Sequence, residues 1–491
     1  MKAIDDPDGA ARKVFTRLAL HIDGAWLTAQ EGVGEKVLDP ATGAALGWLP
    51  HASAAQLQQA LQAAHQGFTL WSATPAFERR RVLLEAARLL RERGEVLARV
   101  LTLEQGKPLA ESRAEWTAAI EIIEWYAEEA RRLYGRTIPA CTAQVVQVVQ
   151  QQALGPVAAF TPWNFPALTP ARKIAGALAA GCSLTIKPAE ETPATAMALV
   201  QACVDAGLPA GVLQLVFGVP AQVSETLIQS PLIRKISFTG SIPVGKHLAE
   251  SAARHGVKRC TLELGGHAPV LVFDDADVER AAQLCAAGRF RNAGQVCVAP
   301  SRFYVQRAAV GRFAQALGAA AEALTVGNGL DPQTTMGPMI NARRLAAMQH
   351  FVDDAQRGGA RILCGGTRLQ QPGFFFAPTV VQDLRDDAAM LREEIFGPIA
   401  PIVAFDTAEE ALARANALPF GLAAYAFTGA SVTADKVAQG LEAGMVAINH
   451  LAVSIAEAPF GGVKESGYGS EGGVEGLQAY LTPKFVTRMA V

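Results

Sequence analysis

The alternation of apolar and polar positions divides the chain into three textures. Up to about residue 133 the apolar residues recur mostly at helical spacing. Leu57, Ala60, Leu61 and Ala64 share one face, and Ser53 stands where an N-cap is needed. A second helical pattern runs from Phe77 to about Leu103, with leucines and alanines inward and arginines outward. A third runs from Trp116 to Leu133 with an acidic outer face. Ahead of them, residues 18 to 30 read as a short strand pair turning at Asp23-Gly24, and DPATG (39 to 43) reads as a turn.

The second texture is brief. TAQVVQVVQQQ, residues 142 to 152, is rich in Val and Gln and carries no charge. Left unpaired, such a strand is a sticky edge. Two readings stand side by side: pairing with another subunit, or an ordinary internal hairpin. The third texture fills the rest. From Leu154 to Glu263, strand candidates VAAFT, SLTIK, LQLVF, IRKISFTG and RCTLEL alternate with helical runs at 167–180, 192–206 and 244–253. That βαβ rhythm predicts a parallel sheet with ligands at the carboxyl ends of its strands. A second alternating series spans Pro269 to about Val453, so two α/β domains are expected to meet near Leu264-Gly265-Gly266. Residues 480 to 486 read as a further strand.

Composition narrows the classes. A chain of 491 residues exceeds one ordinary core. The net charge of −2 comes from 44 basic and 46 acidic residues spread evenly, which leaves no basic stripe for nucleic acid. No uncharged apolar run spans a bilayer, and MKAIDDPDGAARKVF lacks the apolar core of a signal peptide. The seven cysteines, 141, 182, 203, 260, 285, 297 and 364, contain no C-x-x-C pair. They point to a reducing cytoplasm, with no metal site and no disulfide framework.

Five stretches carry candidate chemistry. GRFRNAGQVCVAP (288 to 300) lies between a helical run, Val278 to Arg289, and a strand-like run, Arg302 to Val305. Cys297 therefore sits on a held loop, with Ala293 and Gly294 leaving room beside the sulfur. It either packs or serves as a nucleophile. No histidine lies near it in sequence, and the signatures of cysteine proteases are missing. FTPWNFP (160 to 166) ends a strand. The Asn164 amide there suits a developing oxyanion, or caps a turn. TIKPAEET (185 to 192) sets Lys187 and Glu190 three apart, as a grip on ribose hydroxyls or as a surface ion pair. A carboxylate at that place favours a free 2′-hydroxyl over a 2′-phosphate. SFTGSIPVG (237 to 245) misses the G-x-G-x-x-G spacing, yet Ser241 opens a helix and suits a phosphate. TLELGGHAP (261 to 269) ends a strand with Glu263, which is either paired or poised as a base.

Seven motifs, PWNFP, IKPAE, FTGS, LELGG, GQ-x-C, EEIFGP (393 to 398) and PFGGVKESGYG (459 to 469), occur in one order. On them the chain resembles the aldehyde dehydrogenase superfamily over nearly its whole length. The resemblance implies an α/β fold of two Rossmann-type domains plus a small β oligomerisation arm. Its division is 1–125 and 153–263 for NAD, 264–453 for catalysis, 126–152 and 470–491 for oligomerisation, and 454–469 as a return segment. It implies Cys297 as the nucleophile, Asn164 and the Cys297 amide as oxyanion donors, and Glu263 as the base that activates water. It further implies that Lys187 and Glu190 hold the adenosine ribose and Ser241 the pyrophosphate. Glu394 and Phe396 place the nicotinamide ribose and ring, and Phe160, Thr161, Trp163, Gly240 and Leu264 complete the cofactor cleft. NAD is expected ahead of NADP. Glu263 favours water over coenzyme A as acyl acceptor, so the product is a free acid.

Arg172, in PALTPARKIAG, and Arg291, six residues before Cys297, match with Ser454 the carboxylate grip of succinate-semialdehyde and α-ketoglutarate-semialdehyde dehydrogenases. Succinate semialdehyde is the first choice of substrate. α-Ketoglutarate semialdehyde, glutarate semialdehyde and a broad aldehyde range are the alternatives. Ala299 stands where some of those enzymes carry a second cysteine, so that disulfide switch is absent from this loop. A homodimer or homotetramer is expected. His450 has no assigned role.

Overall fold

Two mixed sheets organise the chain in the computed structural model, which describes residues 6–28 and 33–489. The first has eight strands in the order Gly467–Tyr468, Arg259–Leu264, Lys235–Gly240, Val157–Phe160, Leu184–Lys187, Leu213–Leu215, Ala19–Ile22 and Ala25–Thr28. The five from Arg259–Leu264 to Leu213–Leu215 run parallel. Every residue of Val157–Phe160 and Leu184–Lys187 is buried, as expected of parallel strands covered on both faces. The chain starts this parallel set at Val157–Phe160, builds outward to Leu213–Leu215, then crosses back to lay Lys235–Gly240 on the other side. The topological switch, where a ligand crevice opens, therefore lies between Val157–Phe160 and Lys235–Gly240.

The second sheet has seven strands in the order Arg361–Cys364, Thr379–Gln382, Ile399–Phe405, Pro300–Gln306, Ala268–Val272, Ala423–Phe427 and Met445–Ile448. All but the first are parallel. Each sheet has its own apolar core.

For Val145–Ala153 the internal reading holds within this chain. The strand is no free edge but the centre of a three-stranded antiparallel sheet, flanked by Leu481–Met489 and Arg136–Ile138 of the same chain. The edges are the flanking strands. The helical region expected from Phe77 to about Leu103 forms two helices, Ala76–Glu92 and Gly94–Gln105, parted at Arg93. Ser53 does cap Ala54–Ala73, in a reciprocal box with Gln56. The early hairpin pairs Ala19–Ile22 with Ala25–Thr28 and turns through Asp23 and Gly24, both at positive φ (52° and 80°). Positions 29 and 30 of that expectation, and the first five and last two residues of the chain, lie outside the described residues. Among the described residues no helix is long and apolar enough to cross a membrane.

Candidate active site

The two strands at the switch deliver the first side chains. Val157–Phe160 runs into Thr161, Trp163 and Asn164, and Lys235–Gly240 runs into Ser241, the N-cap of Ile242–Arg254. Ser241 makes no capping bond with its own hydroxyl, and Pro243 removes one amide of the first turn. That leaves a hydroxyl and a helix N-terminus facing the crevice, the arrangement that receives a phosphate. The crevice encloses about 800 Å³. Phe160, Thr161, Trp163, Lys187, Glu190, Gly240 and Ser241 line it. Lys187 and Glu190 form an ion pair, and Lys187 Nζ also donates to the Pro188 carbonyl at 3.2 Å.

Past Trp163 the crevice shares its wall with a cavity of about 230 Å³. Asn164, Glu263, Leu264, Cys297, Glu394 and Phe396 line this second space. Residues from four distant stretches, expected from separate motifs, thus meet in one place. The Trp163 and Phe396 rings meet edge to face at 5.5 Å, at the junction. Glu394 accepts from the Gly266 amide at 3.1 Å. A Cβ on Gly265 would lie 2.4 Å from the Glu394 carboxylate, so glycine there permits the approach.

Cys297 reaches the cavity on a forced loop. The helix Val278–Phe290 ends at Arg291, and Asn292, Ala293 and Gly294 follow at positive φ (50°, 51° and 73°). A Cβ at Gly294 would meet the Gly397 carbonyl at 2.2 Å. Arg289, fully buried, staples the turn: it donates to the carbonyls of Gly294, Gly397 and Pro300 and to the Ser301 hydroxyl.

Burial sets the protonation states. It pushes the Cys297 thiol up to about 12, with the Glu394 and Glu263 carboxylates adding to the effect. It holds Glu263 well above the ordinary carboxylate range, assisted by the Glu471 charge. Both Glu263 oxygens lack a hydrogen-bond partner among the described residues. Burial raises Glu394 to about 7. The Asn164 amide donates to the Gln295 carbonyl at 3.1 Å.

The arginines divide. Arg172 is buried on Leu168–Ala180, donates to the Ser454 hydroxyl at 2.9 Å and lies 4.9 Å from the Phe460 ring. Arg291 is exposed and lies 5.5 Å from the Phe165 ring. Phe165 and Phe460 line the small cavity and the two guanidiniums do not. Arg172 and Ser454 line an outer cavity of about 850 Å³, together with Trp125, Glu121 and Glu457. His450 is exposed, and its Nδ1 accepts from the Ala452 amide.

Several site residues escaped the sequence reading. Lys173 pairs with Glu471 behind Glu263 and donates to the Ser237 hydroxyl at 3.3 Å. Arg344 lines the cavity and donates to the carbonyls of Ile395 and Phe396. Glu104, raised to about 8 by burial, lines the crevice and accepts from the amides of Ala194 and Thr195. Lys173 stands beside Arg172 in PALTPARKIAG but was given no role there. Glu471, Arg344 and Glu104 lie outside the motifs the sequence reading used, and each is brought to the site by tertiary contact.

A dinucleotide fits these residues. The crevice offers a phosphate-receiving helix start, a cation–carboxylate pair, and the buried hydroxyls of Thr161 and Thr239, which have no partner among the described residues.

Comparison with known proteins agrees. Residues 26–486 match the aldehyde dehydrogenase family. A 4-(hydroxymethyl)benzenesulfonate dehydrogenase of Comamonas testosteroni is 50% identical over 96% of this chain and 98% of its own. An NADP(+) succinate-semialdehyde dehydrogenase of Escherichia coli is 43% identical over 96% and 98%. The crystal structure of a succinate-semialdehyde dehydrogenase from Burkholderia pseudomallei superposes with a TM-score of 0.95 at 41% identity, covering 99% of this chain and 100% of that one. With the cysteine loop, the crevice and the motifs in one arrangement, this chain belongs to the aldehyde dehydrogenase family.

Proposed function

We propose that the protein oxidises a small aldehyde bearing a distal anionic group, with succinate semialdehyde as first choice, to the free acid with NAD. The observation that carries the reading is the meeting of Cys297, Asn164 and Glu263 in one cavity joined to the dinucleotide crevice.

Cys297 Sγ attacks the aldehyde carbon, and the thiol proton passes to a base. The Asn164 amide and the Cys297 N–H stabilise the oxyanion. A dinucleotide held by Lys187, Glu190 and Ser241 in the crevice would supply the hydride acceptor. Glu394 and Phe396 orient the ribose and ring. Glu263 then takes a proton from water, the water attacks the thioester carbon, and the acid departs while Cys297 regains its proton.

The anionic end is assigned to Arg172, with Ser454 beside it and Arg291 at the rim. A permanently charged fork suits a carboxylate or sulfonate. The Arg172–Ser454 hydrogen bond supports this placement. A para-sulfonated aromatic aldehyde is the second reading, favoured by the sulfonate relative and by the roomy outer cavity. NAD is preferred because the Glu190 carboxylate opposes a 2′-phosphate, and Glu190→Ala is expected to raise relative use of NADP. The arm strands are assigned to assembly as a homodimer or homotetramer.

The test is the ratio of kcat/KM for succinate semialdehyde to that for butanal, which differ chiefly by the carboxylate. A charge-assisted pair of about 1.5–3 kcal/mol gives a ratio of about ten to a hundred or more. Arg172→Ala should bring it close to one. A ratio near one in the wild type refutes the arginine grip and leaves a general aldehyde dehydrogenase.

A further inference from the structure

Asn292 occupies an odd place. It is fully buried, it is one of two successive non-glycine residues in the left-handed region, and no step of the chemistry above uses it. A buried amide in such a turn must have its hydrogen bonds met by the protein. Asn292 meets this at each polar atom. The backbone amide donates to Glu111 Oε2 at 2.9 Å. The side-chain Oδ1 accepts from Gln105 Nε2 at 2.8 Å. The side-chain Nδ2 donates to the Asn164 carbonyl at 2.9 Å and to the Gln295 carbonyl at 3.2 Å. The Asn292 carbonyl accepts from both the backbone and the side-chain nitrogen of Gln295, each at 3.0 Å.

Those two carbonyls are the ones that set the oxyanion donor. The Gln295 carbonyl accepts one hydrogen of the Asn164 amide. An amide nitrogen has two hydrogens, and fixing one fixes the direction of the other. The Asn164 carbonyl is held a second time by Lys107 Nζ at 2.8 Å, a buried cation paired with Glu115.

We infer that Asn292 is a positioning residue for the oxyanion donor: its side-chain amide ties the Asn164 and Gln295 carbonyls together, so that the free hydrogen of the Asn164 amide points into the cavity beside Cys297. The inference rests on the reading of Asn164 as that donor. The left-handed turn at Asn292 brings its side chain to both carbonyls just ahead of Cys297.

The experiment is a double-mutant cycle on the full-length enzyme with NAD, reading the rate of the pre-steady-state NADH burst. Asn292→Gly keeps the left-handed backbone and removes the amide. It should slow the burst by about 10- to 100-fold, at most the lower end of the roughly 10²–10³-fold loss for removing an oxyanion donor outright. NAD affinity should stay within about twofold. In an Asn164→Ala background the same substitution should slow the burst no further, because residues acting through one group are not additive. Losses that multiply, or a burst within twofold of wild type in Asn292→Gly alone, overturn the inference. If Asn164→Ala itself leaves the burst unchanged, the donor reading fails first and takes the inference with it. Should Asn292→Gly not fold, Gln105→Met carries the same cycle, since it removes the donor that holds Asn292 Oδ1. A loss that disappears in the Asn164→Ala background supports the inference, and any other result overturns it.

Discussion

Burial and two nearby carboxylates keep the thiol of Cys297, the proposed nucleophile, protonated. Cys297→Ala should remove both NADH formation and ester hydrolysis, leaving only background. Full dehydrogenase activity in that variant would sink the mechanism. Glu263 shows the opposite side of the same physics. Its carboxyl is raised, so at acid pH it holds a proton and does not act as a base. The acid limb of thioester hydrolysis should lie well above the ordinary carboxylate range. Glu263→Gln should slow hydrolysis by about 10²–10⁴ while the NADH burst persists. Glu471→Gln removes a repelling charge and should shift the acid limb to lower pH. A limb that stays where it was would refute the coupling between the two carboxylates.

Elements explain why some of this was legible and some was not. Asn164 and Ser241 follow strands whose apolar runs are plain in the sequence, so their places at a crevice follow from strand and turn alone. Lys173 and Glu471 stand 298 positions apart and meet only because Gly473–Gln478 packs on Leu168–Ala180. No local pattern encodes that contact. The break at Arg93 escaped for a related reason: buried apolar residues continue on both sides of it, and Arg93 itself keeps right-handed helical dihedrals (φ −89°, ψ 0°). Arg172 was expected at the pocket mouth; it stacks over the Phe460 ring, which lines the small cavity, while Arg172 itself lines the larger one with Ser454. Helix packing also yields a prediction. Gly67, within Ala54–Ala73, is so close to the Gly211 carbonyl that a Cβ would come within 2.1 Å. Gly67→Ala should cost about 1–3 kcal/mol in denaturant unfolding, despite the better helix propensity of alanine.

At the scale of the molecule, two features remain. Glu104 joins the crevice to the start of Pro193–Asp205 and is raised to about 8. A carboxyl raised in the folded state binds its proton more tightly there than in the unfolded chain, so stability falls as pH rises from about 4.5 to about 8. Relative to Glu104→Gln, the wild type should lose stability over that window, and thermal unfolding of both at pH 5 and pH 8 checks it. On the arm, Val146, Phe485 and Met489 are each more than half exposed, which is unusual for large apolar side chains on strands. If this arm carries the proposed assembly, Phe485→Asp should give smaller species than the wild type in sedimentation velocity.

The covalent path between the two sheets has a mechanical consequence. The chain leaves the first sheet at Leu264 and returns to it at Gly467, where Glu263 pairs with Gly467 and Leu262 with Tyr468. Ser466 Oγ donates to the Gly265 carbonyl at 2.8 Å, pinning the outgoing and incoming strands side by side. That seam is not the whole connection: Asn292 bonds to Gln105 and Glu111, and the Leu109 amide donates to the Gly329 carbonyl. The two sheets are therefore clamped at more than one place, and rotation of one against the other would have to break buried hydrogen bonds on both sides of the cavity.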